Sequence, residues 1–415
     1  MLQKLKTNLN RYTITSILFL IIIFFYLIGM IINSDSVKSS IKTSIEKVES
    51  ESSADILKAF VNGTDSAFNN AVFDKITLLN ANGLFNRILQ KKMVTDVVEH
   101  NNVYKLDNGQ LTYLYDNWGM SLAHKNMRKL NEYLSSVGTK LLYVQAPYKV
   151  DKYDNQLPHG RVDYPNLNTD KFLAGLDKLG IDYIDFREVI HDSNFTYEDL
   201  FFNTDHHWTT QTGFWAYTYL MNYMGENYGV KYDERNVKEE NFNFVTLKDS
   251  FVGSLANRVG YWYAGIDDFT YIYPKFDTSY TWERYFKYGS LDITRTGAFE
   301  DTVLFKERVV ETKEPQAYRD NCYFNGNPAL ARITNNDVKD GRVLVIQDSF
   351  GKPVSSFLSL NFHQVDVLDL RDYRKMYLLD YVKENQYDYV IFIYNPSVFK
   401  RSTYYVSFRF EDPNQ

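Results

Sequence analysis

Three short runs that are apolar almost throughout, Lys140–Gln145 (KLLYVQ), Arg342–Gln347 (RVLVIQ) and Tyr389–Tyr394 (YVIFIY), limit what this chain can build more than any other feature. A strand with one wet face alternates apolar and polar side chains, because successive side chains point to opposite faces. These runs do not alternate, so both of their faces must be covered, as in a parallel sheet packed between helices. The flanking sequence supplies the helices. Met127, Leu130, Leu134 and Val137 mark a stripe that stops near Gly138, and Phe172, Leu173, Leu176 and Leu179 mark another that ends at Gly180. Asp182–Asp185 reads as a short strand, Val365–Leu370 as a further strand, and helices follow Pro353 and run near Met376–Glu384. The expected fold class is therefore α/β, a mainly parallel sheet flanked by helices. Between its two halves, residues from about 230 to 333 are rich in Tyr, Phe and Trp and alternate in character, as in Asp268–Tyr273 (DFTYIY). They predict an inserted β-rich segment that walls or covers the site.

The chain has 415 residues, enough for one large domain with connecting segments, since single cores stop growing near roughly 250–300 residues. Thr13 to Ile32 carries no charge and is long enough to cross the hydrocarbon of a bilayer. Lys4, Lys6 and Arg11 precede it and Asn33-Ser34-Asp35 follow, so the positive-inside bias puts residues 1–12 in the cytoplasm, 13–32 across the membrane and the rest outside. A cleaved signal peptide is the rival, but the apolar run exceeds the usual h-region and no small-x-small site follows it directly. Residues 33–102, with Ile41, Ile45 and Val48 at helical spacing and Ile56, Leu57 and Phe60 beyond, read as a partly helical juxtamembrane stalk holding the next domain off the membrane. The catalytic domain is expected over 103–400 and a tail over 401–415. A net charge of -6 lacks the basic excess that nucleic acid requires. Cys322 is the only cysteine, so no intramolecular disulfide forms. The 34 Tyr and 29 Phe suit a wet, hydroxyl-rich ligand such as a sugar, and equally suit aromatic strands filling a core.

In an open parallel sheet, ligands gather beyond the carboxyl ends of the strands. RVLVIQ ends directly in Asp348-Ser349-Phe350-Gly351, which puts the Ser349 hydroxyl on a strand-to-helix turn with the backbone N–H of Ser349 or Phe350 beside it. That placement suits attack on a carbonyl and support of the oxyanion that develops. It also suits a plain turn in which the serine caps the next helix. A serine hydroxyl needs a base and a group to orient that base. Asn203-Thr204-Asp205-His206-His207-Trp208-Thr209 offers both, because Asp205 and His207 stand two residues apart on one loop and reach each other. The same Asp-His-His letters occur in the metal-dependent DHH phosphoesterases. No companion Asp-x-Asp strand end or HxxxH pair supplies further ligands here, so no metal and no organic cofactor is expected.

Thr204–Thr209, followed by Gly213-Phe214-Trp215 and later by Val345–Gly351, resembles the DHHW protein family. That family is similar in turn to the SGNH-like domain of alginate O-acetyltransferases, in which the Asp-x-His motif also precedes the serine. The resemblance spans roughly residues 100 to 400. It implies an SGNH-hydrolase-like fold with Ser349 as nucleophile, His207 as base and Asp205 as orienting acid. The serine motif departs from the Gly-Asp-Ser of ordinary SGNH esterases, so the oxyanion donors stay open: Phe350, Gly326 and Asn327 in Asn325–Pro328, or Gly253-Ser254 and Asn257-Arg258 in GSLANRVG. Lys149, at the end of the first strand, is expected to line the cleft and contact a sugar or an anionic group, and Trp208 to border it. The function implied is O-acyl, most simply O-acetyl, transfer to a cell-surface or secreted polysaccharide, with a membrane-bound O-acyltransferase partner delivering acyl groups from the cytoplasm. Two rivals share these residues: an esterase that gives the acyl-enzyme to water, and a non-catalytic carbohydrate-binding or scaffold protein.

Overall fold

The computed structural model describes residues 11–32, 34–46, scattered positions between 57 and 67, 75–96, 101–154, 156–310, 319–399 and 410. Residues 1–10 of the expected cytoplasmic segment 1–12, part of the stalk, including Val48 and Ile56, and the tail apart from Phe410 lie outside the described residues. The chain divides into two compact units, Met1–Asn82 and Gly83–Gln415. In the first, Arg11–Ile32 is one helix of 22 residues, and its Tyr12–Gly29 window is long and apolar enough to cross a membrane. A second helix, Ser34–Glu46, follows it.

In the second unit the strands are β1 (Met93–Thr95), β2 (Asn102–Lys105), β3 (Leu111–Thr112), β4 (Lys140–Gln145), β5 (Asp182–Asp185), β6 (Phe242–Phe251) and β7 (Asp267–Pro274). They continue with β8 (Tyr280–Tyr285), β9 (Leu291–Gly297), β10 (Leu330–Asn335), β11 (Arg342–Gln347), β12 (Gln364–Leu368) and β13 (Tyr389–Tyr394). Eight of them form one sheet in the order β5-β4-β13-β11-β12-β10-β8-β9. The first five are parallel; β10, β8 and β9 add antiparallel on one side. The three apolar hexapeptides occupy the centre as β4, β13 and β11.

Their lack of alternation has the expected cause. Leu142, Val144, Val343, Val345, Ile391 and Ile393 bury into one face, under the helices Thr210–Tyr228 and Gly351–Leu358. Leu141, Tyr143, Leu344, Ile346, Val390 and Phe392 bury into the other, under Ser121–Ser136, Tyr164–Leu179 and Leu378–Glu384. Each large apolar side chain so covered contributes roughly 1.5–3 kcal/mol, which makes these two layers the main source of stability.

The aromatic-rich stretch divides between two places. Among the described residues β6 and β7 pair only with each other, whereas β8 and β9 extend the main sheet beyond β10, with Tyr280 and Trp282 fully buried. Many of its rings therefore fill a core. A separate three-stranded sheet, β1-β2-β3, packs Val94, Val103 and Leu111 against Val252, Leu255, Val259 and Tyr263. In the main sheet the carboxyl ends of β4, β13 and β11 lie side by side, since Gln145 pairs with Tyr394 and Ile393 with Gln347. The residues that follow them, Ala146–Lys149, Asn395 and Asp348-Ser349, thus share one end of the sheet.

Candidate active site

The serine side of the site is built on regular structure. β11 ends at Gln347, and the buried Asp348 carboxylate organises the turn: Oδ1 accepts the Phe350 N–H at 2.9 Å, and Oδ2 accepts the Asn395 N–H at 3.1 Å and the Asn395 side-chain amide at 2.6 Å. Burial pushes the Asp348 carboxyl upward, against the pull of Arg371 and these N–H groups. The helix begins at Gly351, and the position takes glycine because a Cβ there would stand 2.2 Å from Gln347 Oε1, the atom that accepts the Ser355 hydroxyl.

The histidine side is a loop, pinched where Phe201 and Trp208 form an isolated bridge. Asp205 Oδ1 accepts the His207 backbone N–H at 2.9 Å and faces His207 Nδ1 at 2.5 Å, while Oδ2 accepts the Ser254 N–H at 2.6 Å. The loop is tied from beneath. Asp267 accepts from the Asn203 N–H, the Thr204 N–H and the Thr204 hydroxyl; Gly253 N–H donates to that hydroxyl oxygen at 2.8 Å. Lys149 Nζ donates to the carbonyls of Asp205, Leu111 (2.8 Å) and Asn203 (3.4 Å). A Cβ on Gly253 would lie 2.2 Å from Asp205 Cβ and 2.6 Å from its Cα, so only glycine lets the two segments meet.

These two sides meet where His207 Nε2 lies 2.6 Å from Ser349 Oγ. The Trp208 indole N–H donates to the Phe350 carbonyl at 3.0 Å and locks loop to turn. A serine hydroxyl donating to Nε2 while Nδ1–H donates to Asp205 is the tautomer that general-base chemistry requires. Burial alone would raise the Asp205 carboxyl, but His207, His206 and the hydrogen bonds to the carboxylate hold it well below the usual range, so it stays ionised. Burial, with His207 beside it, pushes His206 down to about 3, which leaves its ring neutral. Burial lowers the Lys149 ammonium to about 7 despite the opposing pull of Asp267 and Asp205.

The other expected site residues fall in different places. The Phe350 N–H is engaged by Asp348, whereas no acceptor among the described residues takes the Ser349 N–H, which leaves that amide for an oxyanion. Gly253 and Asn257 shape the loop under Asp205: Asn257 donates its side-chain amide to the Val252 carbonyl at 3.0 Å. Arg258 sits 3.8 Å from Asp96 and 5.7 Å from the Tyr113 ring centre, and that ring stands 6.4 Å from His206. Gly326 donates to the Asn321 carbonyl, and among the described residues no hydrogen bond joins Gly326 or Asn327 to Ser349 or His207. Their neighbours Asp320 and Asn321 take Lys352 Nζ, on the helix that follows Ser349. Lys149 is buried rather than lining a cleft. Sequence reasoning missed Asp267 and the part Ser254 plays. Ser254 acts through a backbone N–H, which has no residue signature, and its hydroxyl meets His206 Nδ1 at 3.1 Å.

Asp205, His206 and His207 offer ligand atoms within 4.8 Å of one another. Both ring nitrogens of His207 are already committed, to Asp205 and to Ser349, so an ion there would have to break one of those bonds.

Comparison with known proteins agrees with this architecture. Residues 115–262 match the family model of the SGNH hydrolase-like domain, acetyltransferase AlgX. The structure of Bacillus cereus PatB1 with sulfonyl adduct superposes with a TM-score of 0.59 at 21% identity, covering 75% of this chain and 98% of that one. A DHHW family protein from Eubacterium siraeum superposes with a TM-score of 0.57 at 18% identity, covering 78% and 100%. No curated protein matches the chain. The chain is thus similar to the DHHW and AlgX-type proteins, and its fold is the SGNH-hydrolase-like α/β architecture with a mainly parallel sheet.

Proposed function

We propose that this protein is an O-acyltransferase, in the simplest case an O-acetyltransferase, that esterifies hydroxyls of a cell-surface or secreted polysaccharide through an acyl-Ser349 intermediate. The observation that carries the reading is the unbroken hydrogen-bonded chain from Asp205 through His207 to Ser349. The match of residues 115–262 to an acetyltransferase domain model supports it.

His207 Nε2 takes the Ser349 Oγ proton as Oγ bonds to the acyl carbonyl carbon, and Asp205 steadies the imidazolium that forms. The Ser349 N–H faces the oxyanion. Collapse breaks the bond to the donor's leaving group, which receives the proton from His207. In the second half a sugar hydroxyl gives its proton to His207, attacks the acyl carbon and leaves as the ester, while Ser349 recovers its proton. With the N-terminal helix as a single-pass anchor and the catalytic unit outside, activated acyl groups made in the cytoplasm must be carried across, which is the work of a membrane-bound O-acyltransferase partner.

The test is partition. The full chain in detergent, loaded with p-nitrophenyl acetate, should pass acetyl to an oligosaccharide acceptor faster than to water; discharge to water alone would replace the transferase reading with an esterase.

A further inference from the structure

The helix Lys75–Ile88 is turned the wrong way for a soluble protein. Within the second unit, Gly83 and Asn86 are buried, and a Cβ on Gly83 would stand 2.7 Å from the Val259 carbonyl oxygen, so residues 83–88 dock through their small and polar side. Their apolar side faces outward. Leu84, Phe85, Ile88 and Leu89 are all exposed, Phe85 by 57% and Ile88 by 68%. Residues three and four apart share a helix face, so Leu84, Phe85 and Ile88 make one continuous stripe. Trp262, itself 41% exposed, is fixed beside the same helix, where its carbonyl accepts from Arg87 at 3.4 Å and the neighbouring Tyr263 hydroxyl donates to the Lys91 carbonyl.

Charge selects what such a stripe meets. From Lys75 to Thr95 the sequence carries Lys75, Arg87, Lys91 and Lys92 and no acidic residue, in a chain whose net charge is -6. Lys92 reaches Asp107 at 3.3 Å, and Arg87 and Lys91 stand at the end of the stripe. Exposed apolar residues bordered by cations, with a tryptophan at the rim, are the composition of a helix lying in the headgroup region of an anionic bilayer.

We infer that Leu84, Phe85, Ile88 and Leu89, with Trp262, form a lipid-docking surface that holds the catalytic unit against an anionic membrane. The segment read from sequence as a spacer then ends in a contact that draws the domain to the bilayer. This rests on the membrane reading of the N-terminal helix for its setting, and on the helix face alone for its chemistry.

Position 88 of the full chain in phosphatidylcholine vesicles containing phosphatidylglycerol gives the test. Cys322 is buried, so a polarity-sensitive thiol label goes to Ile88→Cys, or to Glu226→Cys as an exposed comparison on another helix. The label at 88 should shift to the blue and be quenched several-fold more by brominated lipid than the label at 226. Adding Leu84→Glu and Phe85→Glu should abolish that difference while leaving Ser349 acylation in detergent unchanged. A label at 88 that aqueous iodide quenches as well as at 226 would overturn the proposal and favour a protein occupant. An alkaline wash reads the anchor separately: a chain that leaves the vesicles would end the anchor reading, and the quenching measured before the wash would still decide the docking.

Discussion

The two halves of the site are held in different ways. Ser349 stands on a strand-to-helix turn whose supports, Gln347, Asp348 and Gly351, are its immediate neighbours, with Asn395 from the adjoining strand β13. Asp205 and His207 stand on an irregular loop whose supports come from Lys149, Gly253, Ser254 and Asp267, each roughly fifty residues or more away in sequence. The lesson is that regular structure positions a side chain cheaply, whereas a loop needs many specific ties. The histidine half should therefore be the fragile one.

The largest effect should come from Gly253→Ala. The added methyl must push Asp205 away, and a misplacement of about 1 Å costs on the order of 100-fold in rate. Asn395→Ala, on the serine side, removes one donor to Asp348, costs about 1–3 kcal/mol of stability and leaves turnover within a few-fold. Comparable losses of turnover in the two variants would erase the contrast.

Lys149→Met sharpens it. The variant keeps the stem but frees three carbonyls, and acylation should fall by about 10-fold, roughly 1.4 kcal/mol. Stability carries a second signature. With its pKa lowered from 10.5 to about 7, Lys149 is held neutral in the fold where the unfolded chain would bind a proton, so stability rises with pH between those values. Thermal midpoints of Lys149→Met across that window should lose this slope.

The smallest effect belongs to His206. Its ring stays neutral down to about 3 in the fold but protonates near 6.5 when unfolded, so the unfolded state binds more protons and stability falls as pH drops from 6.5 towards 3. The side chain keeps 32% exposure, which screens part of the effect. His206→Gln should flatten the thermal midpoint over that range; the contribution of Asp205, whose carboxyl is held well below 3.8, is lost only at lower pH.

The same contrast explains what could be read from sequence. Lys140–Gln145, Arg342–Gln347 and Tyr389–Tyr394 coincide with β4, β11 and β13, because burial on both faces writes itself as an unbroken apolar run. β9, with side chains half-buried or exposed throughout, carries no mark of the sheet it joins. Asp205, His207 and Ser349 stood out by residue type. Gly253-Ser254 is legible only as a turn that offers oxyanion donors; its place beneath Asp205 is not, since Ser254 acts there through a backbone N–H and Gly253 through the absence of a side chain. Lys149 reads in the sequence as a charge near a strand end, and that pattern is the same for a side chain facing a ligand and for one buried beneath a loop.

The most direct test of the account treats the full chain with a small sulfonyl fluoride and maps the modified residue by peptide mass. The account predicts a single adduct on Ser349 that is lost in His207→Ala, since the serine reacts only when Nε2 takes its proton. Modification at another nucleophile, or labelling of Ser349 undiminished without His207, would contradict it.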